Sequence, residues 1–95
     1  MNNKLKELNV EFLFSAILKL ETMEECYAFF EDLCTIPELK ALSQRIQVAK
    51  MLSERKVYSE IVEKTGASTA TISRVNRSLA YGSDGYKIVF ERLEK

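Results

Sequence analysis

Residues 58–79 read YSEIVEKTGASTATISRVNRSL, and this stretch decides the fold. Its first part predicts a short helix that ends at Gly66, because glycine adopts the left-handed conformation that other residues resist. Ala67 is small enough to let two helices approach closely, and Ser68 is a typical N-cap for a second helix. The stretch therefore predicts two helices joined by a sharp turn, the helix-turn-helix arrangement.

The side chains of this stretch separate into an inner and an outer side. The inner side carries apolar residues that set the angle between the helices, at Ile61, Ala67, Ile72 and Val75. The outer side carries small, hydroxyl-bearing and basic residues, at Ser68, Thr69, Ala70, Thr71, Ser73, Arg74 and Arg77. Such residues contact thymine methyl groups, base edges and phosphates, so we predict that they bind double-stranded DNA in the major groove. Serine and threonine also occur at helix starts as caps alone, which is the alternative interpretation.

The charges are sorted along the chain, although the net charge is zero. Residues 1–39 carry three basic and eight acidic side chains, whereas residues 40–79 carry eight basic and three acidic ones. A basic segment next to an acidic one suits a localised DNA-binding face, because phosphates attract the first and repel the second. Chance sorting of surface charge is the alternative.

The chain has one proline and three glycines and shows no strand-like alternation, so long helices are expected. A first helix is predicted over residues 4–20, and it is apolar nearly all round, which requires cover on most sides. In so short a chain this favours a dimerisation helix over an ordinary core helix. Capping boxes at 22–25 and 35–38 predict helices that run to about Cys34 and Ser53.

The length of the chain predicts one domain. Within it, residues 1–53 are the predicted dimerisation core, residues 58–79 the helix-turn-helix and residues 84–95 a C-terminal helix capped by Ser83 or Asp84. The polar connector 54–57 is a candidate hinge between the core and the helix-turn-helix.

Several other function classes find little support in the sequence. Two cysteines, Cys26 and Cys34, and no histidine argue against a zinc site, and both thiols are expected to behave as small buried hydrophobic groups. We expect no enzyme, because no glycine-rich phosphate loop and no nucleophile–base pair is found. No signal peptide or membrane span is evident, and we expect a cytoplasmic protein.

From about residue 33 to residue 79 the chain resembles the tryptophan repressor family. The matching segments are LCT at 33–35, AL at 41–42, RIQV at 45–48, GASTATISR at 66–74 and SL at 78–79. The segment at 66–74 is specific, because its order of small and hydroxyl residues is unusual among helix-turn-helix sequences. The resemblance implies an all-α, intertwined homodimer whose N-terminal helices interlock, with two DNA-reading motifs about one DNA turn apart, roughly 34 Å.

The resemblance also implies a site for a small-molecule corepressor. The family binds tryptophan between two arginines that correspond to Arg45 and Arg74, with Thr35 and Ser78 near its carboxylate and amino group. Tryptophan-binding members have a small glycine after the second arginine, where this chain has Val75. A β-branched side chain there fills space in a packed site, so we expect a member that does not bind tryptophan. Another small-molecule corepressor, or none, stays open.

The predicted function is a dimeric, sequence-specific DNA-binding transcriptional regulator of the repressor type. The alternative is a helical module that uses the same scaffold to bind a protein, which the acidic first part of the chain would suit. The salt dependence of DNA binding distinguishes the regulator from the protein-binding module, because several phosphate contacts make DNA affinity fall steeply as the salt concentration rises.

Overall fold

A computed structural model of the protein describes residues 3–95, with side chains from residue 4 onward. Helices are the only regular elements of these residues, in the order α1 (Asn3–Glu7), α2 (Glu11–Ile17), α3 (Met23–Leu33), α4 (Ile36–Ser53), α5 (Tyr58–Thr65), α6 (Thr69–Tyr81) and α7 (Gly85–Leu93). The predicted all-α class is confirmed. Within the described residues, no helix combines the length and the apolarity that crossing a membrane requires.

The chain packs as two compact units, and the boundary lies in the first turn of α4. The first unit ends at Ile36, and the second unit is Pro37–Lys95.

In the first unit, the predicted single helix over residues 4–20 is wrong, because it is divided into α1 and α2. The break lies at Asn9, whose φ of +55° places it in the left-handed region. Asparagine tolerates this conformation better than most residues, since its short side chain bonds locally. The predicted cap of α3 is confirmed: the Glu25 amide donates to Thr22 Oγ1 over 3.1 Å. The carboxylate of Glu25 accepts from the Glu21 amide over 2.8 Å, one residue before the cap.

The first unit contains no fully buried side chain among residues 4–36. Cys26 and Cys34 are free thiols and are half-buried, instead of buried as the sequence predicts. The apolar residues of α1, α2 and α3 therefore do not close into a core within this unit.

The second unit has a closed hydrophobic core to which each of its four helices contributes. Its buried residues are Val48 and Ala49 from α4, Ile61 from α5, Ala67 from the turn, Ile72 and Val75 from α6, and Phe90 from α7. The predicted inner side of the helix-turn-helix is thus confirmed at all four positions. The core fixes the angle between α5 and α6 and ties both helices to the end of α4.

The structure groups α4 with the helix-turn-helix, although the sequence placed residues 1–53 together. The reason is the burial of Val48 and Ala49 in the core of the second unit. The connector 54–57 is a hydrogen-bonded turn, in which the Lys56 amide donates to the Met51 carbonyl over 3.0 Å. It therefore joins two helices of one packed unit and does not mark the division between the units.

The last helix starts one residue later than predicted, at Gly85. Asp84 occupies the N-cap position with a φ of +62°, but its side chain makes no capping hydrogen bond. Phe90 anchors this helix to the core.

Candidate nucleic-acid interface

The turn between α5 and α6 is locked by side-chain hydrogen bonds as well as by its glycine. Gly66 has a φ of +71° and ends α5 in the left-handed conformation. The Thr65 hydroxyl donates to the Ile61 carbonyl over 2.7 Å and accepts from the Ala67 amide over 3.1 Å. Gln44 of α4 donates to the Thr65 carbonyl over 3.1 Å. These bonds hold the turn rigidly against α4, so the start of α6 has a defined direction.

Ser68 caps α6 as the sequence predicts. Its hydroxyl accepts from the Thr71 amide over 3.1 Å and donates to Thr71 Oγ1 over 3.1 Å. The hydroxyl group of Thr71 is therefore part of the cap.

The predicted DNA-binding residues do not all face solvent equally. Six of them are exposed, at Ser68, Thr69, Ala70, Ser73, Arg74 and Arg77. Thr71 is half-buried, and its amide and hydroxyl are bonded to Ser68. The first turns of α6 thus present an uncovered hydroxyl- and methyl-bearing surface, whereas Thr71 helps to build the turn.

The cations of α5 and α6 differ in their pairing. Lys56 and Lys64 both lie near Glu60 of α5, with Nζ–Oε2 distances of 4.0 Å and 3.7 Å. Within residues 3–95, no carboxylate forms an ion pair with Arg74 or Arg77. The uncompensated positive charge in this part of the second unit is therefore carried by α6.

A cavity of about 120 Å³ lies beside α6 and is lined by Arg45, Thr71, Arg74, Val75, Ser78 and Tyr86. It brings together three of the four predicted ligand-binding residues, namely Arg45, Arg74 and Ser78. Thr35, the fourth, belongs to the first unit. No carboxylate lines this cavity, and its two guanidinium groups make it electropositive.

The cavity is small for an aromatic amino acid. Val75 is only 4% exposed and belongs to the core, so its side chain occupies space at the floor of the cavity. A cavity of about 150 Å³ is the size that accommodates one benzene ring. The volume here is below that value, and an indole with its amino-acid group needs more.

Tyr86 is a cavity residue that the sequence analysis missed. It reaches the site from α7, where its ring stacks on Phe90 with centroids 5.9 Å apart. The sequence feature that bears on the position of Tyr86 is its spacing from Phe90, which lies one helical turn further on. It predicts a shared helix face, but it cannot reveal what that face contacts.

A second, larger opening follows the outer side of α6, and we call it the tyrosine groove. It has a volume of about 540 Å³ and is lined by Tyr58, Ser73, Arg74, Asn76, Arg77, Ala80 and Tyr81. Arg74 therefore lines both the cavity and the groove. Four of these residues, Tyr58, Asn76, Ala80 and Tyr81, are not among the site residues predicted from the sequence. Positions 73, 76, 77 and 80 share one helix face by their spacing, whereas Tyr58 comes from a different helix.

No group of three or more acidic or cysteine side chains within the described residues is arranged to hold a metal ion. The positive groups of the cavity and the groove instead suit negatively charged partners.

The sequence model of the family described as Trp repressor protein matches residues 8–94. The chain belongs to the Trp repressor family. This is a family of transcriptional regulators and not of enzymes, with an all-α fold and a DNA-binding helix-turn-helix. Membership extends the resemblance, which the sequence analysis placed at residues 33–79, over nearly the whole chain.

One curated protein and two solved structures are similar to this chain. The uncharacterized protein YerC of Bacillus subtilis (strain 168) is 50% identical over 93 residues, which cover 98% of this chain and 89% of YerC. A crystal structure of a TrpR like protein from Eubacterium eligens ATCC 27750 is 67% identical, with a TM-score of 0.92 over 98% of this chain and 96% of that one. A solved structure from Staphylococcus aureus is 52% identical, with a TM-score of 0.91 over 97% and 92% of the two chains.

Proposed function

We propose that this protein is a sequence-specific, DNA-binding transcriptional regulator of the repressor type that acts as a homodimer. In each copy, α6 enters the major groove with its first turns against the base edges. The two copies place their α6 helices about one DNA turn apart, roughly 34 Å, on a palindromic site.

The outer surface of α6 carries this proposal. Thr69, Ala70 and Ser73 are exposed on a helix whose direction is held by the capped turn and by the core. Their short side chains allow the helix to approach base edges closely, and Arg74 and Arg77 supply unpaired cations beside them. Membership in the Trp repressor family supports the same function.

The homodimer is supported by the apolar surface of the first unit. Large hydrophobic side chains are exposed on its helices and turns, at Leu5, Leu8, Phe12, Phe14, Leu18, Met23, Tyr27 and Leu33. Phe12 and Leu18 each expose 82% of their surface. Exposed apolar patches of this kind mark surfaces that bind another protein. Interlocked N-terminal helices of a second copy, as the family resemblance implies, would cover them.

We infer further that DNA binding does not require tryptophan. The small cavity and the buried Val75 support this inference. Calorimetric titration of the purified protein with millimolar tryptophan tests it. We expect no saturable heat, and a saturable signal of one tryptophan per chain would contradict the inference.

The function is tested by selecting duplexes from a random pool with the purified full-length chain, followed by affinity measurements on the enriched sequence. We expect a palindrome whose half-sites lie about one turn apart. Thr69→Ala should relax specificity at one base position, whereas Arg77→Ala should weaken binding to all sequences. Lys87→Ala, an exposed change on α7, is the matched control and should bind as the unchanged protein does.

The second candidate, a protein-binding module, is favoured by the acidic charge of residues 1–39. It predicts no enriched duplex and no steep loss of DNA affinity with salt. Failure to enrich any duplex, with or without amino acids and cell extract, would therefore move the assignment to this candidate.

A further inference from the structure

We propose that the tyrosine groove holds a phosphodiester of the DNA backbone beside each half-site, with Tyr58 and Tyr81 as neutral hydrogen-bond donors on its walls. The inference rests on the proposed function and adds residues to it. It assigns a backbone-binding role to Tyr58, Asn76 and Tyr81.

Most of the residues that line the groove have side chains that can donate hydrogen bonds. Two phenol hydroxyls, one serine hydroxyl, one amide and two guanidinium groups line it, and Ala80 is its one apolar lining residue. Phosphate oxygens accept hydrogen bonds and donate none. Arginine, serine, asparagine and tyrosine are among the side chains that contact phosphates in protein–DNA complexes. The set of residues therefore suits a phosphodiester, and the two guanidinium groups, which only donate, favour an anion over a neutral base edge that presents both donors and acceptors.

The charge of the groove points to the same ligand. No carboxylate is among its lining residues. Arg74 and Arg77 have no carboxylate partner within residues 3–95, in contrast to Lys56 of the connector and Lys64 of α5. The groove therefore offers uncompensated positive charge to an anion without first breaking an ion pair.

The position of the groove along α6 places it at the level of the DNA backbone. An α-helix rises about 1.5 Å per residue, so Tyr81 lies roughly 18 Å along the axis from Thr69. The major groove is only about 8.5 Å deep. Since the N-terminal residues of a recognition helix contact the base edges, its last turns lie outside the bases, where phosphates are found. Tyr58, at the start of α5, also lines the groove.

Tyrosine-to-phenylalanine variants test the proposal, because they remove one hydroxyl and leave the ring in place. Tyr81 is 86% exposed and Tyr58 is 39% exposed, so the fold should tolerate either change. Affinity is measured by fluorescence anisotropy for the selected duplex, for single-base variants of it, and for duplexes carrying a pair of neutral methylphosphonates, one at the same backbone position of each half-site, with the pair moved along the duplex in turn. Circular dichroism melting checks that each variant is folded.

We expect Tyr58→Phe and Tyr81→Phe each to weaken DNA binding about three- to tenfold, the size of one hydrogen bond to a charged group in a partly exposed site. The loss should be the same for every base variant. It should disappear on the duplex whose methylphosphonates replace the contacted phosphate of each half-site, because the partner of the hydroxyl has been neutralised. Ser53→Ala, which removes an exposed hydroxyl that lines neither the groove nor the cavity, should bind every duplex as the unchanged protein does.

Different failures have different meanings. If the unchanged protein binds a selected duplex and both groove variants bind it equally well, the groove does not hold the backbone, while the proposed function stands. A loss that persists at every methylphosphonate position would overturn the assignment of the ligand as a phosphodiester. If the unchanged protein binds no duplex but binds a polyglutamate peptide through Arg77, the groove belongs to an acidic protein partner, and both the inference and the proposed function fail.

Discussion

The two units of this chain differ in hydrophobic content and in the burial of their side chains. The unit with the higher hydrophobic content is the one without buried side chains among residues 4–95. Of the 36 residues up to Ile36, 20 are hydrophobic, against 24 of the 59 residues that follow. Yet every buried side chain among residues 4–95 belongs to the second unit. Among the described residues, each unit exposes nine large hydrophobic side chains, but only the second unit also encloses a buried core.

The apolar side chains of the two units therefore have different roles. In the second unit, four helices enclose a core, so its apolar side chains stabilise the unit that presents α6. In the first unit, α1 and α2 have only five and seven residues and enclose nothing. Their apolar side chains form a surface for association, which the proposed homodimer would bury. The prediction with the largest expected effect tests this surface directly.

Replacing Phe12 and Leu18 together by serine should abolish the homodimer. Four apolar side chains, two from each copy, would lose their burial, at about 1.5 kcal/mol each or roughly 6 kcal/mol in total. Analytical ultracentrifugation at several concentrations measures the dissociation. Val57→Ser is the control, because Val57 is 63% exposed but lies outside the first unit. A double variant that stays dimeric at the concentrations where the unchanged protein is dimeric would show that the first unit is not the association surface.

A cavity in the core of the second unit should have the next largest effect. Ile72 is fully buried, so Ile72→Ala should lower the free energy of unfolding by about 3 kcal/mol. Urea unfolding followed by circular dichroism measures the loss. Asn76→Ala, an exposed change on the same helix, should stay within about 0.5 kcal/mol of the unchanged protein. Equal effects of the two changes would mean that the core described for the second unit does not control its stability.

The smallest effect is expected at the turn that directs α6. Gly66 has a φ of +71°, so Gly66→Ala should cost about 1–2 kcal/mol even though an added Cβ meets nothing within 4 Å. Gly85 also has open space around an added Cβ, but it lacks a positive φ. Gly85→Ala should therefore be neutral or stabilise α7 by about 0.5 kcal/mol. Urea unfolding of both variants gives their free energies of unfolding, and the difference between them reports the cost of the backbone conformation at residue 66. A Gly66→Ala protein as stable as Gly85→Ala would contradict this account of the turn.

Much of the second unit was predictable because its signals are local. The left-handed glycine, the Ser68 cap and the inner positions Ile61 and Ile72 all lie within one stretch of twelve residues. Arg45 and Arg74 could be placed at one cavity only through the family resemblance, since 28 residues separate them. The prediction of one helix over residues 4–20 failed because apolar periodicity continues through Asn9, whereas the backbone turns there.

The sequence by itself determined the all-helical class, the two helices of the helix-turn-helix, the turn at Gly66 and the surface character of α6. These depend on backbone preference and on hydrogen bonds between near neighbours. Only the tertiary structure decided that α4 packs with the helix-turn-helix, that Tyr86 reaches the cavity and that Tyr58 and Tyr81 line one groove. Each of those contacts joins residues from different helices, and the angles between helices are set by how the whole core closes, which no local pattern records.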